Sequence, residues 1–171
     1  MFKNIILTGF MGVGKTSVGT RLADDLGYVF VDTDKLIEVD QQMTISTIFQ
    51  KHGEPYFREV EAKIIQLVMQ GENQVVSTGG GAVIWDMNRE AFKQSGFVVC
   101  LTARPEVIHT RIKHEIHRPL LQTPDPQAKI KELLESRAKF YEQADVCIDT
   151  SEMSVPDVIS EIKMRIRHAY C

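Results

Sequence analysis

Short apolar runs alternate with longer amphipathic stretches along most of the chain. Five of the runs have the length of β-strands, and they cover residues 4–8, 29–32, 75–77, 97–101 and 146–149. The first, third and fourth are continuously apolar, whereas a strand with one face in water would alternate apolar and polar positions. We therefore expect a sheet that is covered on both faces.

The stretches between these strands carry apolar residues at helical spacing. The predicted helices cover residues 15–26, 34–40, 54–69, 105–113, 126–141 and 155–168. Regular alternation of strands and helices predicts a parallel sheet with helices on both sides. No repeat or linker interrupts the alternation, so we expect a single domain over residues 1–171.

Composition narrows the classes of partner. The 171 residues are 43% hydrophobic and 25% charged, and the formal net charge is −3. This balance leaves no basic field that would attract nucleic acid or an anionic membrane. There is no signal-peptide pattern and no apolar run of the ~20 residues that a membrane span needs. We expect a cytoplasmic monomer, with Cys100 and Cys147 as small buried side chains in strands.

The sequence GFMGVGKT, residues 9–16, matches the phosphate-loop pattern G-x-x-x-x-G-K-[ST] between a predicted strand and a predicted helix. Its glycines allow several N–H groups to point at a phosphate, and the helix N-terminus adds positive potential. In this pattern the lysine reaches the β- and γ-phosphates and the hydroxyl binds Mg²⁺. The predicted nucleotide-binding residues are Gly12, Val13, Gly14, Lys15, Thr16 and Ser17. The side chains of Phe10, Met11 and Val13 receive no role from the pattern.

Two acidic residues, Asp32 and Asp34, follow the second predicted strand. Ligands of open parallel sheets bind at the carboxyl ends of strands. Asp32 could hold Mg²⁺ through water, and Asp34 could accept a hydrogen bond or a proton from an attacking hydroxyl. One of them could instead cap the helix that follows, which leaves the other for chemistry. The sequence does not decide whether Asp34 is a base or only orients the hydroxyl.

Two further motifs indicate an anionic second substrate. Arg58 and Glu61 are spaced to pair on one helix, either as a surface ion pair or as a guanidinium held rigid to bind a carboxylate. Gly79, Gly80 and Gly81 follow the third strand. A tight turn needs one or two glycines, so three favour a ligand that contacts bare N–H groups.

The basic residues of this acidic chain cluster around residues 104–118. We expect a lid over residues 112–125 that closes on the phosphates, with Arg118 as the catalytic candidate, although a solvated basic helix face would have the same composition. Arg137 has two interpretations as well. It is either a surface charge paired with Glu135 or Glu142, or a second clamp on the anionic substrate.

The motifs described above, in their order along about residues 3–165, resemble those of the shikimate kinase family. They include Phe57-Arg58-x-x-Glu61, the three glycines, Arg118-Pro119-Leu120-Leu121 and Arg137-x-x-x-Tyr141. The resemblance implies a three-layer α/β/α P-loop kinase with a mobile lid and a five-stranded parallel sheet in the order 2-3-1-4-5. It also implies transfer of the γ-phosphoryl group of ATP, with Mg²⁺, to the 3-hydroxyl of shikimate.

The family's roles can be carried over to matching positions. Lys15, Asp34 and Arg118 would be catalytic, and Thr16 with Asp32 would bind Mg²⁺. Arg111 and Arg118 would join the nucleotide-binding residues, the former by stacking on adenine. The shikimate-binding residues, centred on a segment at about 33–61, would be Asp34, Phe49, Phe57, Arg58, Glu61, Gly79, Gly80, Gly81 and Arg137.

Other functions share part of this pattern. Gluconate carries a carboxylate too, so another small-molecule P-loop kinase, such as a gluconate kinase or a nucleoside monophosphate kinase, is the alternative. A GTPase-like switch would need a guanine-reading N-K-x-D element, which the sequence does not contain.

Overall fold

All five predicted strands form, and they pair in parallel in one sheet. The computed structural model describes residues 2–113 and 123–169. The strands are β1 (Asn4–Thr8), β2 (Val29–Asp32), β3 (Gln74–Ser77), β4 (Phe97–Thr102) and β5 (Val146–Asp149). Their order is β2-β3-β1-β4-β5, which confirms the predicted order.

Helices surround this sheet. They are α1 (Lys15–Leu26), α2 (Thr33–Gln41), α3 (Ile45–Val68), α4 (Asp86–Ser95), α5 (Pro105–Ile112), α6 (Pro126–Tyr141) and α7 (Val155–His168), with a 3-10 turn at Ala82–Ile84. On one side α1 packs with α7, and on the other α3, α4 and α6 pack around the 3-10 turn. The predicted arrangement of helices around a parallel sheet is therefore confirmed.

Two helices differ from the prediction. The sequence of α4 is mostly polar and was not predicted to be a helix, although Phe92 anchors it in the core. The second difference is α3, which begins at Ile45 rather than at residue 54. Its backbone kinks at Gly53, where φ is 81° and ψ is 172°. The predicted start therefore marks the kink.

The main core lies on both faces of the central strands. The strand β1 is buried over its whole length, as expected for a continuous apolar run. A second, smaller core joins α2 to α3, and it is formed by Ile37, Ile48, Phe57 and Val60. This small core holds the predicted substrate segment beside the sheet.

The prediction that both strand cysteines are buried was wrong for Cys147. Cys100 lies in β4 and is buried, whereas Cys147 is exposed because β5 is an edge strand. Among the residues that the structure describes, no helix has the length and apolar character that crossing a membrane requires.

Candidate active site

A cavity of about 420 Å³ opens at the carboxyl ends of the strands. The phosphate loop lines one part of it, and Asp32 and Asp34, from the end of β2, line another. Thr150, Met153 and Val155, which follow β5, complete the wall. The parallel sheet brings these segments together because every strand ends at the same edge.

The phosphate loop has the backbone conformation that its glycines allow. Gly12 and Gly14 have φ values of 76° and 103°, a region that other residues rarely adopt. Lys15 donates 2.8 Å hydrogen bonds from Nζ to the carbonyl oxygens of Gly9 and Phe10. The ammonium group is therefore held over the loop, at the start of α1.

Asp32 combines the two roles that the sequence left open. Its Oδ1 accepts hydrogen bonds from the backbone N–H groups of Asp34 (3.0 Å) and Lys35 (3.3 Å), so Asp32 is the N-cap of α2. Its Oδ2 accepts a hydrogen bond from Thr16 Oγ1 at 3.4 Å. Asp34 is thereby left to face the cavity.

The pair of Thr16 and Asp32 fits a magnesium ion. A hydroxyl and a carboxylate are the oxygen ligands that Mg²⁺ prefers, and the ion usually takes its remaining ligands from water and substrate phosphates. Within residues 2–113 and 123–169 there is no cluster of three or more His, Cys, Asp or Glu residues that could hold a metal. A pair of oxygen ligands, with the remaining ligands from water and phosphates, suits an ion that arrives with a nucleotide.

Each of the three glycines after β3 contacts a different part of the site. A Cβ on Gly79 would lie 2.7 Å from Glu61 Oε1 and 2.8 Å from Asp34 Oδ1. On Gly80 it would lie 3.3 Å from the backbone nitrogen of Met11, and on Gly81 it would lie 2.7 Å from Arg58 Cζ. The segment Gly79–Gly81 therefore connects the phosphate loop to both acidic groups and to a guanidinium.

Arg58 is buried, with 7% of its surface exposed, so its interpretation as a surface charge is wrong. Nη1 donates to Glu61 Oε2 at 2.7 Å, while Nε and Nη2 donate to Glu54 Oε1 at 3.2 and 3.0 Å. Burial opposes the charge, but the two glutamates raise the pKa of Arg58 above its ordinary value. Glu54 was not among the predicted site residues, although its i, i+4 spacing to Arg58 is visible in the sequence.

Glu61 is also buried, with 0% of its surface exposed. Burial raises the pKa of Glu61, Arg58 opposes this, and the neighbouring Asp34 raises it further. Glu61 thus occupies the position predicted for a group that orients Arg58.

Arg137 is the second buried guanidinium, with 4% of its surface exposed, so its interpretation as a surface charge is wrong. In the described part of the chain, no carboxylate forms an ion pair with it. Its Cζ lies 5.6 Å from the centroid of the Phe10 ring. The same helix carries Tyr141, whose hydroxyl donates to the carbonyl of Gly80 at 2.6 Å. Burial raises the pKa of Tyr141 to about 12, an effect that nearby Arg137 opposes.

The two predicted wall residues lie against each other. The ring centroids of Phe49 and Phe57 are 4.8 Å apart, and the guanidinium of Arg58 lies 5.1 Å from the Phe57 ring centroid. Phe57 is part of the small core, whereas Phe49 is half-buried at its border. The Phe57 ring therefore packs against the guanidinium of Arg58, and part of the Phe49 ring remains exposed.

Arg111 lies at the nucleotide side of the cavity and bridges two of its segments. Its Nη1 donates to the carbonyl of Gly12 (3.3 Å) and to Thr150 Oγ1 (3.1 Å), and its Nη2 donates to the carbonyl of Thr150 (2.8 Å). Thr150 in turn donates to the carbonyl of Val13 at 2.9 Å. Thr150 was not among the predicted site residues, although its position directly after β5 indicates a site at the carboxyl end of the sheet.

Arg118 and most of the predicted lid at 112–125 lie outside the described residues. Most of the other predicted site residues line the cavity or contact the glycine segment. Phe49 and Phe57 lie beside Arg58, and Arg137 lies beside Phe10.

Comparison with known proteins identifies the family. A family model described as "Shikimate kinase" matches residues 11–167. A shikimate kinase of Thermodesulfovibrio yellowstonii is 48% identical over 160 residues, which cover 94% of this chain and 92% of that one. One of Symbiobacterium thermophilum is 46% identical over 167 residues, 96% of either chain. A solved shikimate kinase from Acinetobacter baumannii, in complex with shikimate, has a TM-score of 0.95 at 38% identity, over 99% of this chain and 95% of that chain. The chain belongs to the shikimate kinase family.

Proposed function

We propose that this protein transfers the γ-phosphoryl group of ATP to the 3-hydroxyl of shikimate and forms shikimate 3-phosphate and ADP. Membership of the family supports the reaction. The observation that carries it to these residues is the position of Gly79–Gly81, which contacts the phosphate loop, Asp34 and Arg58 at once. A hydroxyl acceptor and an anion clamp therefore adjoin the place where a γ-phosphate is expected.

The acceptor side suits a small ring acid that carries hydroxyl groups. Arg58 and Arg137 are buried cations, and Arg137 pairs with no carboxylate of the described residues, so it can bind that of a substrate. Planar guanidinium groups bind carboxylates through two parallel hydrogen bonds. Asp34 would accept a hydrogen bond from a substrate hydroxyl, and Phe49 would contact the ring.

The donor side suits ATP with Mg²⁺. The amides of Gly12, Val13 and Gly14, with Ser17 beside them, would hold the phosphates, Lys15 would move from the loop carbonyls to the phosphate oxygens, and Arg111 would lie on the adenine side. Thr16 and Asp32 would hold Mg²⁺, which supplies neutralising charge for phosphate oxygens when it is bound.

We infer that catalysis depends mainly on positioning and on charge. The glycine segment fixes the spacing between the phosphate loop and the acceptor group Asp34. Lys15 stabilises negative charge on the transferred group, and Arg118 is proposed for the same task from the lid. We also propose, from the sequence pattern, that Arg118 acts from a lid and that the protein is a cytoplasmic monomer.

An acceptor comparison tests the function. ADP release is measured with ATP and Mg²⁺ in the presence of shikimate, gluconate, AMP or no acceptor, and the product is identified by mass and by phosphorus NMR. We expect turnover with shikimate alone, phosphorylated at the 3-hydroxyl. Turnover with gluconate or AMP but not shikimate would reject the proposal, and slow hydrolysis that is indifferent to the acceptor would favour a switch.

A further inference from the structure

Phe10 belongs to the phosphate loop, yet its side chain packs in the main core. The ring is 1% exposed, whereas its neighbour Met11 lines the nucleotide cavity. Phosphate loops bind nucleotide through backbone amides, so nucleotide binding alone does not require an aromatic ring at this position. The ring is thus a buried group with no role in the reaction described so far.

The polar neighbour of this ring is Arg137. The guanidinium carbon lies 5.6 Å from the ring centroid, within the range of about 6 Å in which cation–π attraction acts. Arg137 is 4% exposed, so water weakens this attraction little. The contact joins the phosphate loop to α6.

The two buried arginines are held in different ways. Three hydrogen bonds to Glu54 and Glu61 fix Arg58. In the ranges 2–113 and 123–169, no carboxylate plays this part for Arg137. An aromatic face attracts a cation without using its N–H donors. Arg137 also interacts with the nearby hydroxyl of Tyr141 and, electrostatically, with Glu61, and its remaining N–H donors stay available for a carboxylate that arrives with the substrate.

We propose that Phe10 is a positioning residue for the acid substrate: its ring holds the guanidinium of Arg137 in the orientation that binds the substrate carboxylate. The inference rests on the proposed function, in which Arg137 is a carboxylate clamp. If it is correct, replacing this phosphate-loop residue should weaken binding of the acid substrate more than binding of the nucleotide.

The first test replaces the ring by an aliphatic side chain of similar volume. In Phe10→Met and Phe10→Leu, the KM for shikimate should rise about three- to thirtyfold while the KM for ATP stays within about twofold. Phe10→Tyr keeps the aromatic face, so its ratio of the two KM values should lie closer to wild type than the ratios of the aliphatic variants, although its buried hydroxyl should lower stability. Urea unfolding of each variant shows that the protein measured is folded.

A second test uses the charge of the substrate. Shikimate methyl ester lacks the carboxylate charge, so wild type should prefer shikimate to the ester, and Phe10→Met should reduce that preference. In an Arg137→Met background, Phe10→Met should add little further loss, because the group that it positions is gone. A role of Phe10 in packing alone would lower turnover of acid and ester equally.

Phe92→Met is the matched control, since Phe92 is also 1% exposed and lies in α4. It should lower stability and leave both KM values unchanged. Equal rises in both KM values of the Phe10 variants, or an unchanged preference for acid over ester, would overturn the positioning role. Absence of shikimate-dependent ADP release in wild type would reject the proposed function and this inference with it. Failure of the proposed function is therefore seen in wild type, whereas failure of the positioning role is seen only in the Phe10 variants.

Discussion

The hydroxyl of Tyr141 donates a 2.6 Å hydrogen bond to the carbonyl oxygen of Gly80. Arg137, four residues earlier on α6, faces the ring of Phe10. One face of α6 therefore contacts both the phosphate loop and the glycine segment at the carboxyl end of the sheet. We infer that α6 maintains the distance between the phosphate loop and the acid site.

Removing this hydrogen bond should cost both stability and substrate binding. Tyr141→Phe leaves the Gly80 carbonyl without its partner, so the free energy of unfolding should fall by about 1–3 kcal/mol. The KM for shikimate should rise more than the KM for ATP, because Gly80 adjoins the acid site. Urea unfolding and steady-state kinetics measure the two effects.

Tyr28 offers a matched control for that variant. Its hydroxyl donates to the carbonyl of Phe2 at 3.1 Å, at the opposite end of the sheet. Tyr28→Phe should therefore lower stability without changing either KM. An identical kinetic profile for the two variants would show that the Tyr141 hydroxyl stabilises the fold and nothing more.

The absence of a side chain at Gly81 should be essential for the acid site. Its φ is −99°, which alanine adopts easily, so Gly81→Ala introduces a clash without backbone strain. The added Cβ would lie 2.7 Å from Arg58 Cζ and displace the guanidinium. We expect kcat/KM for shikimate to fall at least about tenfold, a loss of about 1.4 kcal/mol in transition-state binding.

Gly27→Ala separates this effect from general destabilisation. Gly27 has a φ of +66° with no atom within 4 Å of an added Cβ, so alanine there meets strain but no neighbour. Its stability should fall by about 1 kcal/mol. If Gly27→Ala lost as much kcat/KM as Gly81→Ala, the clash with Arg58 would not be the cause.

The sequence predicts the frame of this site better than its interior. Continuous apolar runs and the alternation of strands with helices were sufficient for the parallel sheet, because both are local signals, whereas the strand order came from the family resemblance. The helix α4 was missed since its polar residues hide a single buried anchor, Phe92. Local pattern also placed Gly53 at a boundary, where the structure has a kink within α3.

Interior geometry depends on contacts between distant segments. Spacing along a helix showed that Arg58 and Glu61 could pair, but only packing shows that both are buried. No pattern near Phe10 indicates Arg137, since the two residues are far apart in the sequence. Burial of Arg137 away from Glu135 and Glu142 likewise follows from the docking of α6 onto the loops.

Asp32 can be tested because its two oxygens have different partners. Asp32→Asn keeps an oxygen for the N-cap of α2 but removes the charge beside Thr16. Stability should change by less than about 0.5 kcal/mol, whereas the Mg²⁺ concentration for half-maximal activity should rise. Asp32→Ala should lose the cap as well, at a cost of about 1 kcal/mol.

A helix cap without a negative charge serves as the control for that pair of variants. Ser154 is the N-cap of α7 and accepts a hydrogen bond from the N–H of Asp157. Ser154→Ala should lower stability and keep the wild-type Mg²⁺ dependence. An unaltered Mg²⁺ titration in Asp32→Asn would remove Asp32 from the metal site and leave it as a cap.

The buried carboxyl of Glu61 should make stability depend on pH. Burial raises the pKa of Glu61 above 4.5, although Arg58 opposes the shift, so the folded protein binds this proton more tightly than the unfolded chain. The stabilisation is therefore complete below about pH 4.5 and is lost as pH rises through the folded-state pKa.

Glu61→Gln removes this contribution. The free energy of unfolding of wild type minus that of Glu61→Gln should decrease between about pH 4 and pH 7, measured by urea unfolding at each pH. Glu54 is the other carboxylate that binds Arg58, and the Glu54 side chain is 45% exposed. Glu54→Gln should therefore retain the decrease that Glu61 causes. If the difference in free energy of unfolding between wild type and Glu61→Gln stayed constant or grew as pH rises, the ion pair with Arg58 would outweigh the burial of the carboxylate.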